Sequence, residues 1–138
     1  MPAIEYDFSD GDLSLLANYV LSSDHTTPSM ALPASGDTVH MLATAPLIVG
    51  SLVPGVTLSI EQSASIDATA VLTGVNIIVT PDITVLLGDG TGSLGATGFE
   101  VRAVVVQTGY SGTTLLQGNV FARSVRLTDP TGTPGGNG

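Results

Sequence analysis

The sequence has no cysteine, no tryptophan and no lysine. Without cysteine there is no disulfide framework, no thiolate metal site and no thiol nucleophile, although the compartment stays open. Two histidines, three tyrosines and three phenylalanines leave little for acid–base chemistry and few aromatic platforms for a sugar. Basic residues are nearly absent: three arginines face twelve acids, for a net charge of −9. That is the opposite of a phosphate-neutralising surface and argues against direct nucleic-acid binding. Charge of either sign is sparse, 11% of residues, against about 25% in an average domain. Much of the surface must therefore be Thr, Ser, Gly, Asn or bare aliphatic, which points to burial against something else and hence to assembly.

The 138 residues suit one domain of about 100–150 residues. Residues 38–60 carry no Asp, Glu, Lys or Arg, but Pro46, Gly50, Pro54 and Gly55 break that interval into short β-prone runs, and no basic flank marks a membrane span. Glu5, Asp7, Asp10 and Asp12 occupy the place of a signal peptide's positive region. A chain opening at Met1 is expected to be an unprocessed intracellular product.

Four segments follow from the pattern. Residues 1–21 form an N-terminal arm and a short helix: Ile4, Tyr6 and Phe8 alternate with polar neighbours, then Leu13, Leu16, Ala17, Val20 and Leu21 make one helical stripe behind Asp10 or Asp12 as N-cap. The segment is expected to dock through Ile4, Tyr6, Phe8, Leu13, Leu16 and Tyr19, either on its own sheet or on a neighbouring subunit. Residues 22–37 read as a loop. Residues 38–128 read as a β domain with strands at 39–43, 46–50, 56–61, 66–72, 75–80, 83–87, 99–107, 114–117 and 119–127. Residues 129–138, DPTGTPGGNG, read as a flexible tail. The expected fold is all-β: a sandwich, jelly roll or small barrel with the arm and one short helix. Residues 54–60 echo residues 81–87, but a third copy near Thr108 is missing, which argues against a solenoid.

Chemical motifs fail one by one. Gly90-Thr-Gly92-Ser-Leu-Gly95 has dinucleotide-loop spacing, yet a β-forming run follows where a helix must open. Asp89 alone is too few oxygens for calcium. Gly109-Tyr-Ser111-Gly112 lacks the last glycine of a nucleophile elbow. His25 and His40 do not have zinc-ligand spacing. The dispersed acids form neither a clear glycosidase pair nor the rows of a DNA mimic. No catalytic, metal-binding or cofactor-binding residues are expected.

Charge is also lopsided, with every arginine (Arg102, Arg123 and Arg126) in the last third of the chain. They either pair with nearby acids, such as Glu100 beside Arg102, or form a positive edge that meets the acidic remainder of another copy.

The arm and helix MPAIEYDFSDGDLSLLANYVL, the strands between 38 and 127 and the tail PTGTPGGNG together resemble the decoration, cement and head-fibre proteins of tailed-phage virions. The resemblance implies a non-enzymatic, commonly homotrimeric β domain, made in the host cytoplasm. It would sit on the capsid surface, bind the major capsid protein or another virion protein and stiffen the head. Under this reading the arm adds as a strand to a neighbour or to the shell, and deleting residues 2–11 abolishes shell binding without unfolding the β domain. The alternative is a carbohydrate- or cell-surface-binding β module of a fibre or adhesin, with its site on loops 22–37 and 88–98.

Overall fold

The computed structural model describes residues 5–8, 12–41, 47–67, 69–80, 83–87, 93–95, 100–107 and 115–128; for 5–8, 107, 115–117 and 126–128 it describes the backbone. The strands are β1 (Glu5–Phe8), β2 (Tyr19–Leu21), β3 (Thr38–Met41), β4 (Leu47–Ile48), β5 (Thr57–Ile60), β6 (Ala64–Ile66), β7 (Asn76–Val79), β8 (Thr84–Leu87), β9 (Ser93–Leu94), β10 (Ala103–Gln107), β11 (Leu115–Gln117), β12 (Asn119–Val120) and β13 (Val125–Thr128). They form a seven-stranded sheet ordered β13-β10-β7-β5-β3-β1-β2, a four-stranded sheet β11-β8-β6-β4 and a two-stranded sheet β12-β9.

Apart from β2 against β1, every paired strand is parallel. The chain visits the large sheet, the four-stranded sheet and a third side in turn, then returns one strand further along. From β3 the turns run β3–β4, β5–β6, β7–β8–β9 and β10–β11–β12, before β13. The third side of the earlier turns is held by single parallel bridges, Asp12 to Val49 and Ser51 to Val71. This is the topology of a β-solenoid, in which each coil contacts its neighbours. The all-β expectation holds. The sandwich, jelly roll or small barrel does not describe these sheets, because those folds are built largely from antiparallel strands joined by hairpins.

Alternation along each strand builds the core, since residues at i and i+2 face the same way. In the large sheet Val39, Leu58, Ile77 and Val104 lie in register and are buried, as do Met41, Ile60, Val79 and Val106. Ile48, Ile66 and Leu87 form the matching stack on the four-stranded sheet. The coils carry a repeat that the 27-residue echo concealed. Ser35-Gly-Asp-Thr-Val-His-Met41, Pro54-Gly-Val-Thr-Leu-Ser-Ile60 and Thr73-Gly-Val-Asn-Ile-Ile-Val79 align with Thr38, Thr57 and Asn76 in register, one copy every nineteen residues. The residues at 81–87 belong instead to β8, on a different sheet from β5. A missing third copy near Thr108 is therefore no obstacle to a solenoid, because the two echoing segments lie on different sides of successive coils.

The first end of the ladder also differs from expectation. Leu13, Leu16, Ala17, Val20 and Leu21 do not make an α-helix. Leu16–Asn18 is a single 3₁₀ turn, with no side-chain cap at Leu15, and it leads directly into β2. The helical spacing coincided with residues that tertiary contacts place separately. The Leu13 amide bonds to the Val49 carbonyl at 2.9 Å, and the buried Tyr19 hydroxyl donates to the Leu13 carbonyl at 2.7 Å. Strand β1 lies on the chain's own sheet between β2 and β3, so both of its edges are occupied. The outer side of β2 is covered in turn: Leu21 donates to Thr27 and Ser29 donates to Tyr19, at 2.9 and 3.0 Å.

Gly36 and Gly74 both adopt positive φ, +93° and +72°, but a Cβ at Gly36 meets nothing within 4 Å whereas one at Gly74 would lie 2.8 Å from the Pro54 Cβ. Gly74→Ala should therefore cost more than Gly36→Ala, with the backbone contribution alone about 1–3 kcal/mol, as read from urea denaturation midpoints. Deleting residues 2–11 should lower the midpoint as well, because it strips β3 of a paired neighbour; an unchanged midpoint would place β1 outside the folded unit.

Candidate functional site

The corner where each coil enters the large sheet is a column of tight turns. The Gly36 amide donates to the Gly55 carbonyl, Gly55 to Gly74 and Gly74 to Glu100, at 3.0, 2.9 and 3.1 Å. A Cβ at Gly55 would collide with the Ser35 side chain, so the floor of this corner stays bare backbone. Over the later coils the corner changes character. The Arg102 amide bonds to the Val75 carbonyl at 3.0 Å and the Arg123 amide to the Val101 carbonyl at 3.1 Å, while Val101 bridges Ala122. That register sets Arg102 and Arg123 one coil apart, about 4.8 Å in backbone spacing, although twenty-one positions separate them in the sequence. Both side chains are exposed.

The two arginines line one groove of about 520 Å³ with the half-buried Glu100, the hydroxyls of Ser35 and Thr73, and the ring of Pro54. Among the described residues no carboxylate is in ion-pair contact with either arginine, so the expected Glu100–Arg102 pair is not made. A volume of this order is typical of small-ligand pockets, about 300–1,000 Å³. The open arrangement can present two guanidinium forks to a carboxylate and a carboxylate to a hydroxyl.

The other expected contact residues are scattered. Leu13 and Tyr19 are buried core rather than contact surface, and burial, reinforced by the charge of Asp12, pushes the ionisation of Tyr19 well above its ordinary range. Leu16 is exposed. Tyr6 and Phe8 lie on β1 in backbone register with Val39 and Met41, and Arg126 lies on β13 in register with Val105; their side chains, and all of Ile4, are outside the described residues. Asp89, most of the Gly90–Gly95 loop and the Gly109–Gly112 motif are outside them too. His40 sits on β3 with its Nδ1 2.5 Å from Glu61 Oε2, a partner the sequence reading missed. The signal was present: Glu61 follows β5 as residue 42 follows β3, one coil on. Among the described residues no group of three or more His, Cys, Asp or Glu could hold a metal ion, and no helix is long and apolar enough to cross a membrane.

Comparison with protein-family models, with curated proteins and with solved structures finds no match to this chain.

The loop at 22–37, expected to carry a sugar site, is organised by its own acids. Asp24 accepts from the Thr27 hydroxyl and from the amides of Thr27 and Thr26, at 2.9 and 3.0 Å for the amides. These bonds, the Thr27 hydroxyl foremost, lower the Asp24 pKa to about 2. A folded value below the unfolded one means that the turn's stabilising contribution is complete above about 3.8 and is lost as pH falls through about 2. A carboxyl NMR titration should give Asp24 a midpoint near 2, and Thr27→Ala should raise it. An ordinary aspartate midpoint in the unsubstituted protein would mean that the turn is not formed in solution.

Proposed function

We propose that the chain is a non-enzymatic structural protein of a virion, a decoration protein that binds a phage head and stiffens it by contact rather than by chemistry. One observation carries most of this reading. Val39, Leu58, Ile77 and Val104 occupy the core-facing position of successive rungs at 0, 0, 1 and 0% exposure, whereas Val125, in the same position on β13, is 58% exposed. Among the described residues the outer edge of β13 has no strand partner. Exposed aliphatic surface next to unpaired backbone favours attachment to another protein, because strand addition fills the hydrogen bonds and burial supplies affinity. Met30, 94% exposed on the opposite side of the sequence, adds a second apolar contact point. The expected homotrimer and the major capsid protein are the occupants this reading implies.

A second reading, a carbohydrate- or cell-surface-binding β module, is favoured by a different feature, the groove between the coils at Arg102 and Arg123. There the polar groups converge, and loop 22–37 contributes Ser35 to it.

The two readings separate in one experiment. Under the first, the purified protein sediments with expanded phage heads that lack it. Val125→Asp should weaken that binding at least tenfold, about 1.4 kcal/mol, while the circular-dichroism spectrum and melting temperature stay close to those of the parent. Light scattering over a salt series should show a trimer that persists in salt. A protein that is monomeric at every concentration and ignores the shells would overturn the structural reading.

A further inference from the structure

We propose that the groove between Arg102 and Arg123 binds an acidic saccharide, a sugar chain carrying carboxylate groups such as a hexuronate oligomer. The inference rests on the second functional reading, the carbohydrate-binding module, and is independent of the virion reading.

This chain has twelve acids and three arginines, so carboxylates outnumber the cations four to one. Yet the fold sets Arg102 and Arg123 on consecutive coils and leaves both without an ion-pair partner among the described residues. Two guanidiniums lining one groove repel each other, and an anion bound in that groove relieves the repulsion. Arg is the side chain suited to this role, because its planar donors match a carboxylate with two parallel hydrogen bonds.

The remaining lining narrows the class of anion. Glu100 is half-buried in the same groove, two residues from Arg102. A phosphate or sulfate dianion puts about twice the charge of a carboxylate beside Glu100, and a nucleic acid brings bases for which this lining has no aromatic side chain. A neutral hydroxyl, by contrast, donates readily to Glu100, and the hydroxyls of Ser35 and Thr73 can both donate and accept. The ligand therefore needs carboxylate and hydroxyl groups on one scaffold. It also needs an apolar flank, since the Pro54 ring forms part of the wall and the C–H face of a pyranose packs well on such a surface. An acidic sugar carries all three.

The site's shape is fixed by the backbone. Gly55 and Gly74 floor it at φ +90° and +72°, where a side chain would both strain the chain and fill the space. The groove runs across the coils, and each coil offers its own corner residue at the strand spacing. An extended oligomer can thus lie along it more easily than a compact metabolite.

The test uses the full chain and trigalacturonate, with maltotriose as the neutral control, followed by amide NMR shifts and calorimetry. Trigalacturonate should shift the amides of Gly55, Gly74, Glu100, Arg102 and Arg123. Maltotriose should bind at least tenfold more weakly. Arg102→Ala and Arg123→Ala should each weaken trigalacturonate binding about tenfold, and Arg102→Lys should weaken it too, because the charge remains but the fork is lost. Both arginine side chains are exposed, so an unchanged melting temperature is expected and serves as the control for folding. Absence of shifts, or equal affinity for the two trisaccharides, would overturn the proposal. If sugar binding occurs but the arginine substitutions leave it unchanged, the groove is the wrong place while the carbohydrate reading survives. If the substitutions abolish self-association in light scattering and no sugar binds, the groove holds an acidic side chain of another copy and the saccharide assignment is overturned.

Discussion

The molecule depends on one lateral ladder of backbone hydrogen bonds. Five strands, β3, β5, β7, β10 and β13, stand parallel and in register across the large sheet, and no two of them are joined by a tight turn. Parallel partners need a long crossover. Here the crossover is the rest of each coil, and it is itself made of short strands that ladder with their own copies on the second and third sides. Hence no strand is stable alone, and no coil is stable without the next. The aliphatic stacks of Val39 to Val104 and Met41 to Val106 are a consequence of the same register, because holding equivalent residues one strand spacing apart lets branched side chains pack on their own kind. Stability in such a body is a sum over neighbouring coils rather than the property of one central core.

This explains what could be read in advance and what could not. Period-two alternation is a local signal, so several strand positions were legible: 83–87 nearly coincides with β8 (Thr84–Leu87), and 56–61 and 75–80 enclose β5 and β7. The stretch at 66–72 was displaced, because Ala64 and Ser65 look like turn residues until their partners on β8 are known. The span 119–127 holds two strands on different sheets, divided around residues 121–124. Sheet type is not local at all. Nothing in Val-Thr-Leu-Ser-Ile tells whether its neighbour runs beside or against it. The deciding clue was the nineteen-residue recurrence of a glycine two residues ahead of a Thr or Asn, at Gly36, Gly55 and Gly74.

The groove was legible only in part, for a related reason. Three late arginines in an acidic chain stand out by counting. That two of them share a groove with Ser35 and Pro54 depends on coil register, and the third coil is longer than the two before it: Asn76 pairs with Ala103, twenty-seven residues on. An insertion of that size shifts every later residue relative to a simple repeat. Leu13 and Tyr19 follow the first of the two alternatives, docking on the chain's own sheet. Their apolar character was read correctly, and what they cover is the end of the chain's own ladder, with the Tyr19 hydroxyl satisfied by a backbone carbonyl instead of a partner.

The two ends of the ladder are chemically unlike. One closes with the antiparallel β2, whose far side is bonded to residues 27–29 and lies against Pro28, a residue with no amide to offer. The other stops, among the described residues, at β13. Head-to-tail stacking of copies would require β13 of one molecule to ladder onto β2 of the next, and that edge is already taken. Open-ended fibres, the usual hazard of a parallel stack with identical rungs, are thereby denied a second attachment point.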